Sequence, residues 1–79
     1  MSGDRLYSAI MGANARVTDV SFLALIGRPN FPISICMCAD YLIPLTIYQG
    51  DNLDDALNAL TNAVTALEKG RSPQTLVTP

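Results

Sequence analysis

Two cysteines and an aspartate alternate in residues 36–40 (CMCAD), the string in this chain that most resembles a metal site. On a strand, Cys36, Cys38 and Asp40 would share one face with neighbours about 7 Å apart, an awkward reach for a single ion. The chain has no His to complete a tetrahedral site, and a redox pair would need CxxC spacing at a helix start. We therefore interpret both cysteines as small buried apolar side chains and predict no metal and no cofactor.

The chain also has few side chains that could act in acid–base or nucleophilic catalysis. Without a His, this chain can build neither a Ser-His-Asp nor a Cys-His mechanism. Three carboxylates, Asp51, Asp54 and Asp55, stand close together in the sequence. They occur where a helix start requires caps and dipole partners, which explains them without catalysis. We predict that the protein is not an enzyme.

Signals for phosphate binding are weak. Residues 12–16 (GANAR) and 27–29 (GRP) match neither the GxxxxGK nor the GxGxxG spacing. Acids at the clearest helix start would repel an anion there, which leaves a small nucleotide only a site beside an Arg across a subunit boundary. The net charge is −2 and the basic residues are scattered, which argues against nucleic acid. Those basic residues are Arg5, Arg16, Arg28, Lys69 and Arg71.

One turn supplies a candidate for protein binding. Arg28, Asn30 and Phe31 stand together in the string RPNF, and a planar donor beside an aromatic ring is typical of interface anchors. In the alternative interpretation, Phe31 packs under the edge of the sheet. Together with the three carboxylates above, these residues form the predicted contact with a protein target that has a basic surface.

A C-terminal helix must position the carboxylates. Apolar residues recur at helical spacing through residues 53–67, and the opposite face is polar. Asp51 or Asn52 can cap its start, with one of the two acids that follow at the third helical position. Gly70 supplies a left-handed stop. The pattern predicts a helix of about 17 residues, roughly 25 Å long.

Upstream, the hydrophobic pattern has the period of strands. Residues 20–26 and 31–39 are two β-rich runs separated by the turn signal GRPN, and residues 45–48 follow Pro44 as a short third run. Residues 5–11 fit either a helix or a strand. We favour a strand, because residues 12–14 (GAN) read as a hairpin turn.

These elements predict an α+β domain over residues 1–70. It would contain a three- or four-stranded antiparallel sheet, arranged as a β-meander, with one C-terminal amphipathic helix packed on one face. The tail, residues 71–79, is predicted to be extended or disordered.

The middle strands are apolar on both faces, and one helix can cover only one of them. The second face would expose apolar side chains, which on a soluble protein usually marks an interaction surface. We therefore predict self-association through Leu23, Leu25, Cys36 and Cys38, giving a homodimer or a tight complex with a partner.

Composition supports the same interpretation. Hydrophobic residues make up 49% of the 79 residues and charged residues 15%, which excludes disorder, and two cysteines exclude a disulfide scaffold. A core from so short a chain is marginal, so a second copy is the remaining means of stabilising it.

The N-terminal string MSGDR is not followed by an apolar segment, so we predict no secretory signal and a cytoplasmic protein with reduced thiols. The weakly charged stretch of residues 29–49 is interrupted by three prolines and by Asp40, which argues against a membrane span.

Residues 49–57 (QGDNLDDAL) resemble the strand-to-helix junction of HicB-like antitoxin domains, and residues 7–10 (YSAI) resemble the opening strand of that family. This resemblance implies a small sheet covered by a helix and an antitoxin role. In type, as a small acidic α+β domain, the chain is also similar to phage-encoded inhibitors of host defence of the anti-CRISPR kind.

The function predicted from these observations is a non-catalytic, protein-binding inhibitor that occupies a surface of its target and acts as a homo-oligomer. A phage protein that evades antiviral defence would fit this description. The alternatives are a HicB-like antitoxin module and an oligomeric sponge for a small signalling nucleotide.

Overall fold

Two helices and four strands make up the part of the chain that the computed structural model describes, which is residues 2–27, 32–39, 42–70 and 76–77. The fold class is α+β, and the C-terminal helix is present, as predicted. The prediction of one helix is wrong, because the chain begins with another. In order, the elements are α1 (Ser2–Arg16), β1 (Ser21–Ile26), β2 (Ile33–Ala39), β3 (Leu42–Gly50), α2 (Leu53–Glu68) and β4 (Leu76–Val77).

The N-terminal helix α1 replaces the strand predicted for residues 5–11 and the turn predicted for residues 12–14. Its buried side chains, Leu6, Ile10 and Ala13, are four and three residues apart, the spacing of one helix face. Placing Gly in a helix costs about 1 kcal/mol, which is less than the burial of Leu6 and Ile10 contributes. Packing against the core therefore outweighs the local turn signal.

The sheet has the strand order β1-β2-β3-β4. The first three strands form the predicted antiparallel meander, with β3 longer than the four residues expected. β4 pairs parallel to β3, so the prediction of an entirely antiparallel sheet is wrong at this pair of strands. The cause is the helix between them, because α2 carries the chain back and lets β4 run in the direction of β3. β4 comes from the tail predicted to be extended or disordered.

Both helices lie on the same side of the sheet. α1 packs against β1 and against α2, while α2 packs against β2 and β3. Between the two layers lies one hydrophobic core. The largest of its fully buried side chains are Phe22, Leu6, Ile35, Ile47 and Leu60.

Two irregularities shape β3. Opposite the step from Ile35 to Cys36, β3 carries one extra residue, Ile47, and as a result the consecutive residues Ile47 and Tyr48 are both buried. A second shift in register surrounds Pro44, a position where a proline interrupts no regular ladder.

Tyr48 ties the end of β3 to the start of α2. Its hydroxyl donates to the carbonyl oxygen of Asn52 at 3.1 Å and accepts from the Asn52 N–H at 3.2 Å. Asn52 is the cap of α2, and its side-chain oxygen accepts from the Asp55 N–H at 3.1 Å. Of the two caps that the sequence left open, the structure has Asn52. Gly70 ends the helix region with φ 74°, in the left-handed region as predicted.

Gly50 leaves the space that the Tyr48 hydroxyl occupies. A Cβ at this position would lie 2.5 Å from Tyr48 Oη, so the ring would have to move and lose its contacts with Asn52. We expect Gly50→Ala to lower the free energy of unfolding by about 1–3 kcal/mol. Urea denaturation would measure this, with Gly12→Ala as the control because nothing lies within 4 Å of the Cβ there. Equal effects of the two substitutions would contradict the contact.

Candidate functional site

The side of the sheet opposite the helices, here called the outer face, has exposed apolar side chains on β1. Because side chains alternate along a strand, Leu23 and Leu25 point away from the core that contains Phe22. They are 55% and 43% exposed, respectively. Leu23 lies directly opposite Cys36 on β2. The structure thus brings the predicted self-association residues together on one face.

The cysteines occupy the middle of this face. Cys36 and Cys38 are free thiols of intermediate exposure, so they are less buried than the sequence interpretation expected. The reason is that neither α1 nor α2 lies on their side of β2, although Cys36 Sγ lies 3.9 Å from Thr46 Oγ1 of the neighbouring strand. Within the described ranges, no group of three or more potential ligands is placed to hold a metal ion. Asp40 lies outside the described residues.

The three predicted carboxylates lie at the start of α2. Asp51, Asp54 and Asp55 are all exposed, and negative charge there is favourable beside the N-terminal end of the helix dipole. Asp54 forms an ion pair with Arg5 of α1 at 3.6 Å, which the sequence analysis missed. Because both side chains are more than 60% exposed, this pair contributes little stability. The three carboxylates remain accessible to a partner.

The predicted anchors Arg28, Asn30 and Phe31 lie outside the described residues. On either side of them, the Gly27 N–H donates to the Pro32 carbonyl oxygen at 2.9 Å, between the end of β1 and the start of β2. The strand register aligns Ile33 with Gly50. The end of β1 and the start of β2 therefore lie at the same end of the sheet as the start of α2.

The edge of β1 that is not paired with β2 contacts Asn14, a residue that was not among the predicted site residues. The Phe22 N–H donates to Asn14 Oδ1 at 2.8 Å, and Asn14 Nδ2 donates to the Phe22 carbonyl oxygen at 3.2 Å. An amide side chain carries the same donor and acceptor as a peptide group. Asn14 therefore takes the place of a neighbouring strand at this one residue.

Further exposed apolar side chains flank the same edge. Tyr7 and Met11 of α1 are 58% and 71% exposed, and Ile26 at the end of β1 is 50% exposed. Tyr7, Met11 and Asn14 are four and three residues apart, which places them on one stripe of α1. Because Asn14 reaches the edge of β1, this stripe lies along it. The helical spacing was the available signal, and predicting a strand here concealed it.

A groove of about 490 Å³ lies between the two helices. It adjoins a cavity of about 200 Å³ that Arg16 lines. Arg5 in the groove pairs with Asp54, and Arg16 pairs with Glu68 at 2.7 Å. An anionic ligand would have to compete with these carboxylates. The groove is lined by Asp4, Arg5, Ser8, Ala9, Leu57 and Thr61.

Comparison of the chain with protein-family models, with curated proteins and with solved structures finds no match. Neither helix, over the residues described, is long and apolar enough to cross a bilayer. The site and fold define a small α+β domain whose sheet carries helices on one face and exposed leucines on the other. The resemblances noted from the sequence stay predictions.

Proposed function

We propose that this protein is a protein-binding protein that acts as a homo-oligomer and associates through the outer face of its sheet. The observation that supports this proposal is the exposure of Leu23 and Leu25 on a face that neither helix covers. Adjacent exposed apolar side chains on a sheet tend to mark a contact with another protein.

The energetics favour covering this face. Burying a leucine fully contributes about 1.5–3 kcal/mol, so covering the half-exposed Leu23 and Leu25 contributes about 1 kcal/mol each. In a two-fold contact every contribution is made twice. The half-buried Cys36 and Cys38 supply small side chains in the middle of the face, which allows a second sheet to approach closely.

The action we propose on a target is inhibition by occupying its surface, as in inhibitors of the anti-CRISPR kind. The exposed acids at the start of α2 would meet a basic surface of that target, and charge complementarity would steer the encounter. The outer face and the acidic end are different parts of the molecule, since one lies on the sheet and the other at a helix start. One copy can therefore use both at once.

Leu23→Asp tests association through the outer face. A carboxylate in the middle of an apolar contact would lose its hydration without a partner, so we expect self-association to weaken at least about tenfold. Analytical ultracentrifugation would measure the change over a concentration series. Asn62→Asp is the control. It also introduces a carboxylate, but at an exposed position of α2, and it should leave association unaltered. If Leu23→Asp associates as strongly as this control, the outer face is not the interface.

A further inference from the structure

We infer that the free edge of β1 is a second, independent association site, which pairs antiparallel with β1 of another copy of this chain. This inference concerns the backbone of the edge strand and goes beyond the proposed use of the outer face. The two sites share β1 but present different groups, side chains in one case and N–H and C=O groups in the other.

The Asn14 contact shows which backbone groups point outward. Phe22 directs its N–H and C=O toward Asn14 and away from β2. Because these groups alternate along a strand, Ala24 and Ile26 direct theirs to the same side. Gly27 has the opposite phase, as expected, since its N–H donates to Pro32 on the β2 side of the hairpin. Ala24 and Ile26 thus offer donors and acceptors along the edge.

This edge carries few of the features that usually prevent strand addition. Natural edge strands are interrupted by charged residues, prolines or bulges. β1 has the sequence SFLALI, with no charge and no proline, and it pairs with β2 in continuous register without a bulge. Asn14 protects Phe22 at one end, but among residues 2–27, 32–39, 42–70 and 76–77 no hydrogen bond covers the outward groups of Ala24.

Asn14 also determines the register of the added strand. With the Phe22 groups already bonded, the groups that remain are those of Ala24 and Ile26. A two-fold axis through Leu25 places Ala24 of one copy opposite Ile26 of the other, and the reverse. Each of these two pairs exchanges two hydrogen bonds. Among the two-fold registers that pair Ala24 and Ile26 with residues of β1, no other leaves Asn14 in place.

The surroundings of the edge favour a second copy as the occupant. A two-fold axis perpendicular to the sheet keeps the helices of both copies on the same side, so the stripes containing Tyr7 and Met11 approach each other. β1 carries no charge, and Tyr7, Met11 and Asn14 are uncharged, so these residues meet their copies without charge repulsion. The contact would bury the backbone of the edge together with three side chains that are 50–71% exposed, Tyr7, Met11 and Ile26. The buried area would be on the order of 500 Å² per copy. That area is at the low end for a specific interface.

Amide hydrogen exchange followed by NMR tests this pairing directly. We expect the Ala24 and Ile26 amides to become at least about tenfold more protected as the concentration rises from micromolar to near-millimolar. The Leu23 and Leu25 amides are the internal controls, because they bond to β2 whether or not a second copy is present. If Ala24 and Ile26 stay unprotected at high concentration, the edge pairing is wrong.

Sedimentation of two variants distinguishes this proposal from that for the outer face. Ala24→Pro removes an outward N–H that β2 does not use, whereas Leu23→Asp alters the outer face alone. If both interfaces exist, the protein forms assemblies of four or more copies and each variant is a dimer. A dimer that Ala24→Pro dissociates supports the edge and overturns the outer face. A dimer that only Leu23→Asp dissociates overturns the edge, and a monomer overturns both.

Met11→Lys provides a variant that retains the fold. Its side chain is 71% exposed, so the substitution leaves the core untouched. Two lysines would approach each other across the two-fold axis, and we expect edge pairing to weaken about tenfold. Unchanged association of Met11→Lys together with unchanged association of a folded Ala24→Pro would overturn the proposal.

Discussion

Replacing Phe22 by Ala is expected to lower the free energy of unfolding by about 3–5 kcal/mol, whereas Leu23→Ala should lower it by less than about 1 kcal/mol in dilute solution. Phe22 is fully buried beneath the helices, and Leu23 is 55% exposed on the other side of the same strand. The first substitution leaves a cavity that the packed layers cannot fill, and the second removes a side chain that water already surrounds.

Urea denaturation at low micromolar concentration would measure both effects. A domain of this size has a stability of about 5–10 kcal/mol, so Phe22→Ala should lose about a third of it or more. Circular dichroism of Leu23→Ala should match that of the unmodified protein. Equal costs for the two substitutions in dilute solution would mean that the outer face is covered within a single copy.

Raising the concentration should separate folding from association. If a second copy covers the outer face, the apparent stability of the unmodified protein increases with concentration. Leu23→Ala should lose part of that increase, because the contact it removes exists only in the complex. The Phe22→Ala deficit should stay constant, since its contacts are within the copy. The pair of variants therefore measures the fold and the proposed interface separately.

The C-terminal helix could be predicted from the sequence because its signals are local and agree with one another. The apolar stripe, the Asn52 cap and Gly70 all lie within α2 or within two residues of its ends. None of them depends on the rest of the chain. The structure matches the prediction to within a residue or two for this reason.

The N-terminal helix was missed because its local and tertiary signals conflict. Residues 12–14 (GAN) favour a turn, while Leu6 and Ile10 require a helix only when a core is present for them to pack against. The sequence predicts the cost of about 1 kcal/mol for glycine in a helix, but it does not predict the larger contribution from burying Leu6 and Ile10. The missed helix also concealed the stripe of Tyr7 and Met11 and the role of Asn14.

The candidate site also has a part that local sequence patterns predict and a part that they do not. Strand alternation alone placed Leu23, Leu25, Cys36 and Cys38 on one face. The edge site depends instead on a contact between Asn14 and Phe22, which belong to different elements. Such a contact requires the angle between α1 and β1, and no local pattern encodes that angle.

Leu6→Ala is the substitution with the second largest expected effect, a decrease of about 2–5 kcal/mol in the free energy of unfolding. Leu6 is 1% exposed and belongs to the core between the helices and the sheet. Tyr7→Ala is the matched control, because Tyr7 is 58% exposed and its loss should cost less than about 1 kcal/mol. Thermal denaturation followed by far-UV circular dichroism would compare the two.

Gly12→Ala is expected to raise the free energy of unfolding, the opposite of Leu6→Ala. The sign depends on whether residue 12 lies in a helix. In a helix with open space around the new methyl group, alanine stabilises by about 0.5–1 kcal/mol relative to glycine. In a hairpin turn with positive φ, the same substitution would be strained and destabilising. A lower midpoint for Gly12→Ala, or equal losses for Leu6→Ala and Tyr7→Ala, would contradict α1. It would also remove the stripe beside β1, because Tyr7, Met11 and Asn14 share a face only when residues 7–14 are helical.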